Sequence, residues 1–288
     1  MIYPISFSIP TCKIVDTVPY KTQLYATIVP GEVGKPIYLY TNEAEYYNGY
    51  KTSVFGKTRC KGGWDCLRHY EILANGCIPW FDGIENCPPN TMTHFPKQLV
   101  KEAMETIGSD VQSTQVQEYC QKLLNYTREH LSTKAMASYV FRTINKPSLK
   151  SVLYLSSQIE PDYLRCLTLI GCKELLAKQC HDYPCINHIY TSCGESAYEL
   201  YGKGMSYTNI LDKSSHRDDA KDLSIEADIT NHAYDIVIYG SIHRGMPFWD
   251  LVNKHYASSE IVLFCGEDLH GCGMKYLGET YHLFVREL

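Results

Sequence analysis

Short apolar runs alternate with longer amphipathic ones through the second half of the chain. "SVLYLSS" (151–157) is a buried strand, and "PDYLRCLTLIGCKELLAK" (161–178) is a helix with Asp162 placed to cap it. "HIYTS" (188–192) follows as a strand, then "YDIVIYGS" (234–241), a helix in "PFWDLVNKHY" (247–256) and a last strand in "EIVLFCG" (260–266). Strand, helix, strand, helix at these lengths predicts a parallel sheet covered by helices on both faces. Ligands of such sheets sit beyond the carboxyl ends of the strands. The polar groups of this half gather there, in "SSQIEPD", "GSIHRG" and "CGEDLHG".

The first half reads as α/β as well. "PISFSIP", "PIYLY" and "CIPWF" are strands, and "DCLRHYEILANG", "PKQLVKEAMETIG" and "VQEYCQKLLNYTREHLS" carry helical spacing. "TINKPSLK" (143–150) is the best linker, between the helical "STKAMASYVFRTI" and the strand "SVLYLSS". It divides the 288 residues into 1–146 and 147–288.

Charge and composition exclude several classes. Lys+Arg number 27 against Asp+Glu 32, with no long basic run, which argues against a nucleic-acid partner. No window approaches a membrane span. The opening "MIYPISFSIPTCKIV" lacks the charged and apolar regions of a signal peptide, so a cytoplasmic protein is expected. The 13 cysteines are an odd count in a long chain and read as reduced thiols. Cys180, Cys185 and His188 come nearest to a zinc set, but their spacing matches no common site, and no metal is expected. Tyrosine is abundant, with 24 residues against 8 Phe. Its apolar body and polar tip suit a sugar-handling surface, and suit an ordinary core equally.

One stretch concentrates chemistry: "CKGGWDCLRHYEILANGCIPWF", residues 60–81. Gly62 and Gly63 precede a helix expected to begin near Trp64 or Asp65, with Lys57, Arg59 and Lys61 just upstream. Backbone N–H groups, a helix N-terminus and cations together suit a phosphate or diphosphate. Along that helix Trp64, Arg68 and Glu71 fall at i, i+4 and i+7 and share a face. Gly76 is placed to end it, and Pro79 to sit in an edge strand. The plainer alternative is a solvated Arg68–Glu71 ion pair after a simple turn, with Trp64 in the core.

"EILANGCIP" (71–79) resembles the glutamate-to-proline signature of the donor domain in GT-B glycosyltransferases, in the form seen in exostosin-like enzymes. The surrounding stretch from "YYNGYKTSVFGKTRCKGG" onward is similar to exostosin-like enzymes of large algal DNA viruses. "PDYLR", "LYGKGMSYTNIL", "YDIVIYGSIHR", "GED" and "VREL" resemble the other domain of related enzymes, where that half comes first. The resemblance implies a GT-B fold of two Rossmann-like αβα domains facing a cleft, with circularly permuted order. It implies a glycosyltransferase using a nucleoside diphosphate sugar, with xylose from its uridine diphosphate as the first guess. The acceptor would be an oligosaccharide, and no cofactor would be required. By the family's pattern Glu71 would bind the ribose hydroxyls. Gly63 stands where many relatives carry a second glutamate.

On this reading residues 1–146 bind the donor and 147–288 face the acceptor. Ser53, Lys61, Gly62, Gly63 and Arg68 would stabilise the leaving diphosphate, with Trp64 beside them. The general base would come from the other half: His243 for its apt pKa, with Asp162 as the rival. Glu160, Glu267 and Asp268 are further carboxylates on those loops, and Arg244 is placed to orient a phosphate or pair with Glu267. Asp162 is equally explained as a helix cap. A catalytically silent sugar- or nucleotide-binding module is the alternative. A nicotinamide-dependent oxidoreductase is disfavoured, because no Gly-x-Gly-x-x-Gly follows the strand at Val152.

Overall fold

The computed structural model describes residues 1–28, 40, 42–157, 159–270 and 275–288. The chain opens with strand β1 (Ile2–Pro4). Three strands then form a small parallel sheet in the order β2-β3-β4: β2 (Gln23–Tyr25), β3 (Ser53–Thr58) and β4 (Ile78–Phe81). Helix α1 (Glu43–Lys51) leads into β3, and α2 (Leu67–Ala74) joins β3 to β4. Gly76 has φ 63°, the left-handed C′ conformation that releases the chain from α2. Pro79 lies in β4, which is an edge strand, where its missing N–H costs no ladder bond.

Helices α3 (Lys97–Thr106), α4 (Thr114–Tyr126) and α5 (Thr133–Thr143) follow. The larger sheet comes next, from β5 (Val152–Leu155), β6 (Cys180–Tyr183), β7 (Ile236–Tyr239), β8 (Ile261–Cys265) and β9 (His282–Val285). Its order is β1-β9-β8-β7-β5-β6, and every pair is parallel. Helix α6 (Tyr163–Leu176) connects β5 to β6, with Asp162 as its N-cap. All residues of β5, β7 and β8 are buried, as expected of strands covered on both faces.

Four expectations change. The strand expected over "PISFSIP" (4–10) is a strand only at Pro4, the end of β1. The second strand of the later half is Cys180–Tyr183 rather than "HIYTS", where short 3-10 turns surround Tyr190. Its polar residues hid it: Asp182 is fully buried against Lys173 Nζ at 2.9 Å and Arg217 Nη1 at 3.4 Å. Next, the α2 helix begins at Leu67, not at Trp64 or Asp65, because Cys66 just before it is extended (φ −126°, ψ 138°) and serves as the N-cap. Finally, the division at 146/147 leaves β2–β4 on one side and β5–β9 on the other, but β1 crosses it. β1 pairs with β9, so the first residues of the chain complete the later sheet. α5 also packs on α6, where Gly171 leaves room for the Thr133 carbonyl. Two passes of the chain bridge the sheets and bond to each other, Ile9 N–H to Leu131 O and Thr133 N–H to Ile9 O, both at 2.9 Å. One buried cluster runs from Val54, Phe55 and Ile78 of the small sheet to Val152, Val262 and Phe284 of the large one. The strand expected over "PIYLY" falls on residues 36–40, and 36–39 lie outside the described residues.

Candidate functional site

The carboxyl ends of the two sheets meet. After β3 the chain turns through Lys61, Gly62 and Gly63, with Lys61 N–H on Gly63 O at 3.0 Å. Against this turn stand the loop after β8, through Asp268, and the residues after β9, Arg286 and Glu287. A Cβ on Gly62 would lie 2.7 Å from Asp268 Oδ2, and one on Gly63 would collide with Glu287 Oε1. At Gly63 a side chain would have to displace the buried Glu287 carboxylate, whereas at Gly62 the exposed Asp268 side chain could move aside. The Glu287 carboxylate accepts from Trp64 N–H at 3.2 Å and Asp65 N–H at 2.9 Å. Arg286 is 1% exposed and lies 4.6 Å over the Phe7 ring. It donates to Glu287 Oε1 at 2.9 Å and to Gly266 O at 3.0 Å, and also to Asp65 O and Asp268 Oδ1. Asp65 accepts from Phe7 N–H at 2.6 Å and Tyr70 OH at 2.7 Å. Burial pushes its carboxyl up to about 6, against the pull of Arg286.

Arg68 and Glu71 do share a face, because both lie inside α2 at i, i+3. Glu71 is 6% exposed. Its carboxylate accepts from Tyr46 OH at 2.5 Å and from Ser206 Oγ. Burial raises its pKa, while Ser206, Tyr46 and Arg68 draw it back. Ser206 is held in turn by Tyr47 OH at 2.6 Å, and its N–H donates to Glu43 Oε1 at 2.6 Å. Burial opposes the charge of Arg68, but Tyr46, Tyr50 and Glu71 outweigh it and keep the guanidinium charged. The Arg68 Nε is buried without a hydrogen-bond partner. Lys61 stands close enough that burial, then Arg68, lowers its pKa. Two neighbouring cations and a buried, unsatisfied guanidinium N–H make a place for an anion. The Glu71 carboxylate beside it accepts two hydroxyl donors.

Other expected site residues sit elsewhere. Ser53 is at the amino end of β3, and its hydroxyl is used by Gly49 O at 2.6 Å and Gln23 Nε2 at 2.8 Å. The loop after β3 leaves from the opposite end of that strand, so Ser53 does not join Lys61 at a phosphate. Trp64 lies before α2 and therefore does not share the Arg68–Glu71 face. Half-buried, it stacks on Phe81 with centroids 6.2 Å apart, at the edge of the core. Asp162 caps α6 through Arg165 N–H at 3.1 Å and pairs with Arg244 Nε at 2.8 Å. Both of its oxygens are engaged, and Arg244 pairs with it rather than with Glu267. His243 is exposed in the turn after β7, with Nε2 3.3 Å from Cys265 Sγ at the end of β8. It stands on the ledge of strand ends that also carries Asp268. Sequence reasoning missed Tyr46, Ser206, Arg286 and Glu287. All four lie in stretches that carry the family resemblance, "YYNGY", "LYGKGMSYTNIL" and "VREL", but nothing in the sequence assigned them a role.

The fold is an α/β architecture of parallel sheets with helices, consistent with a Rossmann-like protein. Protein-family models, curated proteins and solved structures all give no match to the chain. Among the described residues no cluster of three or more His, Cys, Asp or Glu is placed to hold a metal ion, and no helix is long and apolar enough to cross a membrane.

Proposed function

We propose that the chain is a glycosyltransferase of GT-B type, with the order of its halves permuted. It moves a sugar, with xylose as the first choice, from a nucleoside diphosphate to a glycan acceptor. One observation carries the reading: Arg68 and Glu71 project from one face of α2 where the carboxyl ends of two parallel sheets face each other, with the Arg68 Nε buried and unpartnered. A carboxylate that already accepts two hydroxyls is chemically fitted to a ribose diol. Lys61 and Arg68 would balance the charge that develops on the leaving diphosphate.

In the proposed reaction an acceptor hydroxyl attacks the anomeric carbon as the bond to the diphosphate oxygen breaks. The hydroxyl proton passes to His243, the exposed imidazole on the opposing strand ends. Inversion follows from this single displacement. The buried free thiols Cys77, Cys120, Cys166, Cys172 and Cys180 support a reducing, cytosolic setting.

A thermal-shift screen of nucleotide sugars, followed by mass detection of released sugar and nucleotide, tests the proposal. Stabilisation by one donor with turnover in the presence of a glycan supports it. Stabilisation without any turnover would make the chain a binding module instead. No response to any nucleotide would remove the reading.

A further inference from the structure

The two positions best suited to a donor are both occupied by the chain's own groups. Glu287 lays its carboxylate across two successive N–H groups, those of Trp64 and Asp65. Two oxygens of one phosphate would bind adjacent amides in the same way. On the other side of Arg68, Ser206 gives its hydroxyl to Glu71, as a sugar hydroxyl would.

The segment that delivers Ser206 is held in an unusual backbone conformation. Lys203, Ser206 and Asn209 have φ of 58°, 73° and 53°, and Gly202 and Gly204 on either side of Lys203 have 64° and 66°. Side-chain-bearing residues populate this region sparsely, and persist there where surrounding contacts over-determine them. Ser206 alone supplies three such contacts, to Glu71, Tyr47 and Glu43.

Arg286 is anchored differently. Besides Glu287 it bonds Gly266 O, Asp65 O and Asp268. If Glu287 swings away, Arg286 keeps three partners and stays in place. The vacated amides then face a fixed guanidinium with Lys61 nearby.

We infer that Glu287 and Ser206 are internal placeholders, and that Arg286 with the Trp64 and Asp65 amides forms the phosphate subsite that Glu287 holds closed. The inference rests on the nucleotide-sugar reading for its ligand, a diphosphate. Only the fraction of molecules with Glu287 displaced can bind, so the apparent affinity of the closed form is reduced by that fraction. A carboxylate serving only as a clasp between the sheets has the opposite signature: its loss would weaken binding.

The test compares wild type, Glu287→Ala and Glu287→Gln. Calorimetry reads the Kd for uridine diphosphate and for inorganic pyrophosphate, and hydrogen exchange follows the Trp64 and Asp65 amides. The expected result is about a tenfold or greater tightening for both ligands in Glu287→Ala, with a smaller gain in Glu287→Gln. Exchange at both amides should accelerate in the free variants and slow again with pyrophosphate. Adding Ser206→Ala should tighten uridine diphosphate further and leave pyrophosphate unchanged, since only the nucleotide reaches Glu71.

Equal or weaker pyrophosphate binding in a folded variant would overturn the inference, as would unfolding of both Glu287 variants. Pyrophosphate that tightens and protects the amides, with no nucleotide bound by any protein, would uphold the phosphate subsite and sink the glycosyltransferase reading instead. Nucleotide bound equally well by wild type and variants would do the reverse.

Discussion

Replacing His69 with Gln should make the protein markedly less sensitive to mild acid. The imidazole is fully buried between β3 and the turn that carries the candidate phosphate loop. Its Nδ1 lies 2.8 Å from Thr58 Oγ1, and its Nε2 lies 2.9 Å from Trp64 O. A neutral ring satisfies both: Nε2–H donates to the carbonyl and Nδ1 accepts from the hydroxyl. Burial, reinforced by Arg68 and Lys61 and opposed by the Trp64 carbonyl, lowers its pKa from 6.5 to about 3. The unfolded chain takes up a proton near pH 6.5 while the folded chain refuses it. The stability from this group is therefore present above about pH 6.5 and is lost progressively as pH falls toward the folded value. Near pH 5 the loss amounts to about 2 kcal/mol. Gln retains one donor and one acceptor without titrating. Urea unfolding of both proteins at about pH 7.5 and about pH 5 measures the difference. Wild type should lose about 2 kcal/mol more than the variant. Equal losses would refute the assignment of a buried, neutral His69.

The sheet interface and the proposed base give further predictions. Gly171→Val should destabilise by about 1–3 kcal/mol or more in urea melts, because its side chain meets the Thr133 carbonyl; an unchanged midpoint would mean α5 does not pack there. Asp162→Ala should cost about 1–2 kcal/mol through loss of the α6 cap, with turnover near normal once the variant is folded. His243→Ala should lower turnover about 100- to 10,000-fold at nearly unchanged donor affinity; near-normal turnover would remove it as the base. Because β1 lies parallel to β9, joining Leu288 to Met1 and opening the chain at Pro147 should succeed only with a crossover of about a dozen residues. A protein folded with a two-residue join would contradict that register.

Much of the fold was legible because fully covered parallel strands are uninterrupted apolar runs. "VLYL", "IVIY" and "IVLFC" announce β5, β7 and β8 in this way. β6 was hidden because its polar residues are satisfied by charges distant in sequence, such as Lys173 and Arg217. β9 and β3 mix polar and apolar residues and carry no clear period. The membership of β1 was invisible, since pairing with a strand some 280 residues away leaves no local trace. At the site, Arg68, Glu71 and the glycine pair could be read from spacing inside one segment. The partner of the Trp64 and Asp65 amides could not, because Glu287 reaches them from the far end of the chain. Ser206 was unreadable for the same reason: its meaning lies in a contact with Glu71 across 135 positions. Ser53 misled because its strand was not recognised, so its place at the wrong end of β3 was unknown.

The central claim is that Glu71 receives the hydroxyls of a nucleotide's ribose. Calorimetric titration of uridine diphosphate into Ser206→Ala and into Ser206→Ala/Glu71→Gln tests it most directly, because the competing serine hydroxyl is absent from both. Losing the charged half of two hydrogen bonds should raise the Kd roughly 10- to 100-fold in the double variant. An unchanged Kd in a folded double variant, or no binding to either protein, would contradict the claim.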